Sequence, residues 1–165
     1  MVTKPVVLIG PMGVGKTTIG KKLAKKLFIP FVDTDQLVTN KHGPIAKIFE
    51  TDGEAVFRSY EEAAMTEALS TLQVVATGGG AVLSGVNQRS LEESIVIYLS
   101  TNGVHMKSRL SSGTRPLLEN GLSDWKRIYD ERRPLYERLC TFEVDCSAAS
   151  LSATIAAIYV KLETL

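Results

Sequence analysis

Residues 10–17 read GPMGVGKT and match the pattern G-x-x-x-x-G-K-[ST] at every fixed position. Glycines let successive backbone N–H groups curl around one anion at the start of a helix. Lys16 would then reach the β and γ phosphates of a nucleotide, and Thr17 would offer its hydroxyl to Mg²⁺. An apolar, β-branched run at 6–9 precedes the loop and a helical pattern follows it. The sequence therefore predicts a phosphate-binding loop, rather than a glycine-rich turn with a solvent-facing lysine.

Two carboxylates, Asp33 and Asp35, follow the apolar residues 31–32. Ligands of open parallel sheets bind beyond the carboxyl ends of the strands, so both side chains are expected beside the phosphate loop. One could help to hold hydrated Mg²⁺, and the other could orient a substrate hydroxyl or accept its proton. A purely structural alternative is that Asp35 caps the next helix.

Three consecutive glycines, Gly78, Gly79 and Gly80, follow the apolar run at 74–76 in the same way. Such a triplet costs backbone entropy, which favours a place where a ligand or another backbone approaches closely. Its N–H groups could bind a substrate oxygen. A tight turn would also account for the glycine content.

Arginines supply the candidate anion-binding side chains, because a planar guanidinium can bind a carboxylate or a phosphate through two hydrogen bonds. The candidates are Arg58, Arg109, Arg115 and either Arg132 or Arg133. Arg115 lies in the polar, glycine-bearing loop 111–121, which we interpret as a lid that excludes water from the site. Spacing alone does not separate Arg132 from Arg133, and a solvated surface position is the alternative for each of these arginines.

Five apolar runs alternate with helical patterns, which predicts crossover units and a parallel sheet covered on both faces. Strands are predicted at residues 6–9, 31–32, 74–76, 95–99 and 142–144, and helices at 16–27, 51–72, 86–93, 101–110, 123–139 and 150–162. Residues 33–60 interrupt the alternation with breakers at Gly43, Pro44 and Gly53, so a small helical subdomain is expected there.

The composition narrows the class of protein. The 165 residues fit one domain, 1–165, and a net charge of +1 gives no reason to expect nucleic acid or a membrane as partner. Two cysteines, no signal peptide and no apolar run of membrane-spanning length favour a reduced, cytoplasmic protein. His42 and His105 lack partners at metal-ligand spacing, so a zinc site is not expected. Trp125 is expected to pack its helix.

Taken in order, these motifs resemble the shikimate kinase family over nearly the whole chain. The phosphate loop alone is generic to nucleotide-binding proteins, whereas the ordered set is far more specific. The matching segments are residues 10–17, 33–35, 48–49, 52–54, 57–58, 78–80, 114–118, 132 and 134–136. The resemblance implies a P-loop NTPase three-layer α/β sandwich of the nucleoside-monophosphate-kinase type. Its five-stranded parallel sheet would have the order 2-3-1-4-5, with 33–60 as the substrate-binding subdomain and 111–121 as the lid.

The resemblance also implies roles for the acceptor side of the site. Asp35 would bind the shikimate hydroxyls and act as the base, while Asp33 would contact Mg²⁺ through water and Thr17 would bind the ion directly. Arg58 and Arg132 would clamp the substrate carboxylate. Arg132 is preferred to Arg133 because the family's arginine lies two residues before the proline. The backbone of residues 78–80 would complete the substrate site.

On the nucleotide side, the family assigns catalytic roles to Lys16 and Arg115, beside Asp35. Arg115 would reach the ATP phosphates from the lid, and Arg109 would border the adenine. Residues 145–149 lack the basic or extended polar character often found at the adenine edge, so adenine contacts there are left unassigned. The nucleotide-binding residues implied by the resemblance are Gly13, Val14, Gly15, Lys16, Thr17, Thr18, Arg109 and Arg115.

The reaction implied is transfer of the γ-phosphoryl of ATP to the 3-hydroxyl of shikimate, a step of chorismate and aromatic amino-acid biosynthesis, by a monomer. A gluconate-kinase-like sugar-acid kinase is an alternative that the Asp33, Asp35, Arg58 and glycine-triplet combination disfavours. A non-catalytic nucleotide-binding module is a second alternative. It would not need the full set of Lys16, both aspartates and Arg115.

Overall fold

Five short strands form a single parallel sheet with the order β2-β3-β1-β4-β5, as predicted. The computed structural model describes residues 2–110 and 116–165. The strands are β1 (Val6–Ile9), β2 (Phe31–Asp33), β3 (Val74–Ala76), β4 (Ile95–Ser100) and β5 (Phe142–Asp145). Every pair of neighbouring strands runs parallel.

Helices cover both faces of the sheet, which makes the three-layer sandwich. They are α1 (Lys16–Leu27), α2 (Thr34–His42), α3 (Ile45–Thr51), α4 (Glu54–Ala68), α5 (Gly85–Leu91), α6 (Met106–Leu110), α7 (Leu122–Leu139) and α8 (Leu151–Glu163), with a 3₁₀ turn at Ala81–Leu83. In the described residues, no helix combines the length and the apolarity needed to cross a bilayer.

The core lies on the two faces of the sheet because side chains of a strand alternate between them. Val6 and Leu8 of β1 pack with residues of α1 and α8 on one face. Val7 and Ile9 pack with the aromatic residues of α7 on the other. The central strand is therefore apolar at every position, which is why it appears in the sequence as an unbroken apolar run.

Two helix predictions were wrong in their bounds. The helix predicted at 51–72 is shorter: α4 spans Glu54–Ala68, and Gly53, with φ 85°, separates its start from α3. The helix predicted at 101–110 begins only at Met106. Side chains of Thr101 and Asn102 instead accept hydrogen bonds from the N–H groups two residues on, which is a turn rather than a helix.

Residues 33–60 contain α2, α3 and the start of α4, around a small core of their own. Val38, Ile48 and Phe57 are buried there, with Phe49 packed against them. The rings of Phe49 and Phe57 have centroids 4.9 Å apart. Several residues of this helical segment line a cavity together with the glycine triplet that follows β3, at the edge where open parallel sheets bind ligands.

Candidate active site

The phosphate loop connects β1 to α1 and closes around its own lysine. Lys16 Nζ donates to the carbonyl oxygens of Gly10 and Pro11, each at 2.8 Å. Gly10 has φ 142°, and a β-carbon there would lie 2.4 Å from the carbonyl oxygen of Leu99. Glycine is therefore required where the loop leaves the sheet. The loop borders a cavity of about 620 Å³, large enough for a nucleotide.

Thr17 and Asp33 meet at the floor of this cavity. Thr17 Oγ1 donates to Asp33 Oδ2 at 2.5 Å. The other carboxylate oxygen of Asp33 accepts from the backbone N–H groups of Asp35 and Gln36, at 3.0 and 3.4 Å. Asp33 is therefore the residue that caps α2, and the capping role considered for Asp35 is wrong.

Asp35 faces the ligand space with a carboxylate oxygen that has no partner among the described residues. That oxygen, Oδ1, is buried although the residue as a whole is only half-buried. Burial, and secondarily the negative charge of Asp33, raise the pKa of Asp35 to about 6, against the opposing effects of Lys16 and Arg58. A perturbed carboxyl in a cleft is the pattern expected of a functional acid or base.

The glycine triplet is crowded by charged side chains. A β-carbon on Gly78 would lie 2.7 Å from Glu61 Oε2 and 2.8 Å from Asp35 Oδ1. A β-carbon on Gly80 would lie 2.4 Å from a guanidinium nitrogen of Arg58. The close approach predicted at the triplet is therefore present. At Gly78 and Gly80 it comes from side chains of the pocket, which the prediction did not name, and at Gly79 it comes from the backbone of the phosphate loop, as predicted.

Arg58 is held by two carboxylates on its own helix. Its guanidinium donates to Glu61 Oε1 at 2.9 Å and to Glu54 Oε1 at 3.1 Å. These carboxylates, Glu61 first, raise the pKa of Arg58 above its ordinary value although burial alone would lower it. The side chain is thus a fixed cation whose position α4 sets.

Glu61 is a site residue that the sequence reasoning missed. It is only 1% exposed, and its second oxygen, Oε2, is buried without a partner in the described part of the chain. Burial raises the pKa of Glu61, against the lowering effect of Arg58. The signal available in the sequence was its position three residues after Arg58, on the same face of α4.

The structure separates the two adjacent arginines of α7. Arg132 is buried and lines a second cavity of about 190 Å³ together with Arg58. Arg133 is exposed, forms an ion pair with Asp130 at 3.2 Å, and lies over the ring of Tyr129. The second cavity is lined by Met12, Asp35, Ile45, Ala46, Phe49, Phe57, Arg58, Glu61, Gly78, Gly79, Gly80, Pro116, Leu117 and Arg132.

The two cavities adjoin, since Met12, Asp35, Gly78 and Gly79 line both of them. A β-carbon on Gly79 would lie 3.3 Å from the backbone nitrogen of Met12, so the phosphate loop and the triplet are in direct contact. A group bound in one cavity therefore lies next to a group bound in the other.

Arg109 is the described arginine on the nucleotide side. It donates to the carbonyl oxygens of Gly13 and Val14, at 3.2 and 3.3 Å, and lines the larger cavity. Arg115, with residues 111–114 of the predicted lid, lies outside the described residues. Another part of the wall of the larger cavity is formed by Cys146, Ala149, Leu151 and Thr154.

Two aromatic residues of α7 donate hydrogen bonds to the phosphate loop and to the glycine triplet, which together we call the ligand loops. Trp125 Nε1 donates to the carbonyl oxygen of Met12 at 2.8 Å, and the Tyr136 hydroxyl donates to that of Gly79 at 2.5 Å. Trp125 packs its helix as expected, but that expectation was incomplete. Its ring is buried against Tyr129, while its N–H reaches the phosphate loop.

A phosphate loop beside a second, cation-lined cavity, on a sheet of this order, defines a P-loop kinase of small molecules. Comparison of the sequence with protein families gives a match to shikimate kinase over residues 12–163. The chain belongs to the shikimate kinase family, which confirms the resemblance drawn from its motifs.

Individual relatives agree with this assignment. The chain is 41% identical to a shikimate kinase of Thiobacillus denitrificans over 165 residues, covering 96% of this chain and 90% of that one. Among solved structures, a shikimate kinase from Acinetobacter baumannii in complex with shikimate superposes with a TM-score of 0.85 at 31% identity, covering 99% and 94% of the two chains. A gluconokinase from Sinorhizobium meliloti, with a TM-score of 0.64, 19% identity and coverage of 98% and 96%, shares the fold alone.

Proposed function

We propose that the larger cavity binds ATP, that the smaller one binds shikimate, and that the γ-phosphoryl group passes between them. The chain phosphorylates shikimate at its 3-hydroxyl, giving shikimate 3-phosphate and ADP, a step of chorismate and aromatic amino-acid biosynthesis. The observation that supports transfer between the two sites is that they adjoin, since Asp35 and residues 78–79 line both cavities. An acceptor hydroxyl bound at Asp35 therefore lies beside the terminal phosphate.

Local cations make the encounter of two anions possible. Arg58 and Arg132 line the acceptor cavity, where they would bind the carboxylate of shikimate. Lys16 and Arg109 line the nucleotide cavity, and Arg115 would reach the phosphates from the segment 111–121, which we propose to be a lid. Since phosphoryl transfer depends mainly on positioning and on neutralising charge, these residues supply most of what the reaction needs.

Asp35 is the proposed acceptor of the hydroxyl proton. With its pKa near 6, the carboxyl is mostly ionised at neutral pH and can accept a hydrogen bond from the substrate hydroxyl. Oδ1 has no hydrogen-bond partner in the described part of the chain, which points to the same use, because a buried oxygen without a hydrogen bond is costly unless a ligand satisfies it.

The donors near the phosphate loop fit a hydrated Mg²⁺ ion. Thr17 offers a hydroxyl and Asp33 a carboxylate, both hard oxygen ligands, and they already contact one another at the cavity floor. We propose that Thr17 would hold the ion directly and Asp33 through water. The described residues contain no cluster of three or more metal-ligating side chains. Bound with ATP, the ion would neutralise charge on the phosphate oxygens.

Residues 33–60 are proposed to form the substrate-binding subdomain, because α2 carries Asp35 and α3 supplies the apolar wall at Ile45 and Phe49. We also propose that a monomer acts in the cytoplasm. Both cavities are built within one chain, and Cys140 and Cys146 are free thiols, as expected of a reducing compartment.

A coupled ADP-release assay tests the proposal. The acceptors to compare are shikimate, gluconate, a nucleoside monophosphate and no acceptor, with and without Mg²⁺. Turnover that requires both shikimate and Mg²⁺ is expected. Turnover that is independent of shikimate, or that favours gluconate, would refute the assignment of the acceptor cavity.

A further inference from the structure

One face of α7 carries three side chains that contact the phosphate loop or the glycine triplet. Trp125, Arg132 and Tyr136 are separated by seven and four residues, which places them on the same side of a helix. All three are buried. The helix therefore carries an acceptor-site arginine between two aromatic residues that bind the ligand loops.

The hydrogen bonds from Trp125 and Tyr136 go to carbonyl groups whose peptide units also carry the N–H of a glycine that lines a cavity. Trp125 binds the carbonyl of Met12, which belongs to the peptide unit that carries the N–H of Gly13. Tyr136 binds the carbonyl of Gly79, which belongs to the peptide unit that carries the N–H of Gly80. The chain has no cis peptide bond in its described residues.

In a planar trans peptide the C=O and the N–H point in opposite directions. A bond from α7 to each carbonyl therefore turns the following N–H away from α7, on the side opposite to the aromatic donor. Gly13 lines the nucleotide cavity, and Gly80 lines the acceptor cavity. Within residues 2–110 and 116–165, neither N–H donates to a protein acceptor, so both are available to a ligand.

We infer that Trp125 and Tyr136 are positioning residues of the phosphoryl transfer. From the back of each loop, Trp125 aims the Gly13 N–H at the nucleotide phosphates and Tyr136 aims the Gly80 N–H at the acceptor. The single helix α7 thus fixes the positions of the Gly13 N–H, the Gly80 N–H and Arg132 relative to one another. The inference rests on the proposed function, and it adds two residues that touch neither ligand.

The substitution Tyr136→Phe tests the acceptor half of the inference, because it removes a hydroxyl and leaves the ring. We expect KM and Kd for shikimate to rise roughly 2- to 13-fold, the effect of losing one hydrogen bond, with KM for ATP essentially unchanged. Steady-state kinetics and calorimetric titration with shikimate measure these values.

Tyr129→Phe is the matched control on the same helix. The Tyr129 hydroxyl bonds to that of Tyr98 and lies 3.5 Å from the N–H of Thr101, outside both ligand loops. This variant also keeps its ring and loses only the hydrogen bonds of its hydroxyl, and it is expected to leave both KM values unchanged. If Tyr136→Phe behaves like Tyr129→Phe, the inference for Tyr136 is refuted.

Trp125→Phe tests the nucleotide half and should raise KM for ATP rather than KM for shikimate. Thermal unfolding identifies any loss of folded protein, and Kd values for ATP and shikimate are then taken from the folded fraction. Equal losses of affinity for both ligands in both variants would overturn the inference.

If the wild-type protein shows no shikimate-dependent ADP release, the proposed function itself fails. A wild-type enzyme that is active, with variants that do not differ from the control, refutes the inference alone.

Discussion

Asp35→Asn is expected to stabilise the folded protein at neutral pH while reducing turnover. Burial and the neighbouring Asp33 raise the pKa of Asp35 to about 6 from the ordinary value of 3.8. The folded protein therefore holds this proton more tightly than the unfolded chain does. An ionised Asp35 weakens the fold, and an uncharged amide of the same shape removes that cost.

The size of this stabilisation and its dependence on pH follow from the pKa of Asp35 in the unfolded chain and in the folded protein. Below pH 3.8 the carboxyl is protonated in both states and costs nothing. As the pH rises toward about 6, the unfolded chain ionises first and the wild-type stability falls; above pH 6 the cost is complete. A difference of about 2 pKa units corresponds to roughly 3 kcal/mol. Because Asp35 is half-buried and asparagine is also desolvated, we expect a net gain of about 1–2 kcal/mol.

Urea unfolding of the ligand-free protein at several pH values measures the effect. The stability gap between Asp35→Asn and the wild type should grow from pH 4 to pH 7 and stay level above, with Tm about 2–8 °C higher at pH 8. Asp52→Asn is the control, since Asp52 is exposed and its substitution should change stability by less than about 0.5 kcal/mol. A gap that is absent, or independent of pH, would refute the account of Asp35.

Three further changes test other parts of the structure. Arg58→Ala should destabilise the protein by about 3–5 kcal/mol because it leaves Glu61 buried and unpaired. Adding Glu61→Gln should restore most of that stability but no shikimate binding, and a double variant as unstable as the single one in urea would contradict this. Gly80→Ala should raise KM for shikimate roughly tenfold or more by displacing Arg58, and an unchanged KM would count against the packing argument. Phe28→Gly should stabilise the protein by about 1 kcal/mol, because Phe28 is 94% exposed and has φ 57°; a lower urea midpoint would disprove it.

The sheet could be predicted because its strands are apolar on both faces. Residues 6–9 and 74–76 match β1 and β3 at both ends. The order of the strands came from the family resemblance and is confirmed. Helix bounds were harder to predict, since Gly53 ends one helical pattern and begins another, and a single glycine inside an apolar periodicity does not reveal its φ.

The candidate site was predictable where a motif fixes the neighbours along the chain. The phosphate loop, both aspartates and the glycine triplet lie at the carboxyl ends of β1, β2 and β3, as the topology requires. Contacts between distant segments had no such signal. The bond from Trp125 to Met12 joins residues 113 positions apart, and nothing in either segment announces it.

Glu61 and Arg132 illustrate the same limit. A glutamate on a helix is usually solvated, so only the packing of α4 against the triplet reveals that Glu61 is buried. Arg132 and Arg133 have the same chemistry and differ by one position on α7. The rotation of the helix places one in the acceptor cavity and the other in solvent, and the roles of these residues stay predictions.

The absence of side chains at positions 78 and 80 also limits how this pocket can change by mutation. Space there is already occupied by Arg58, Glu61 and Asp35, so a larger residue at either position displaces a charge before it reshapes the pocket. Variants that accept a different acid would thus have to shorten Arg58 and neutralise Glu61 together first, and enlarge Gly80 second. In the opposite order, a larger residue at position 80 would displace the guanidinium of a full-length Arg58. The order of the substitutions therefore matters in any laboratory evolution of this enzyme.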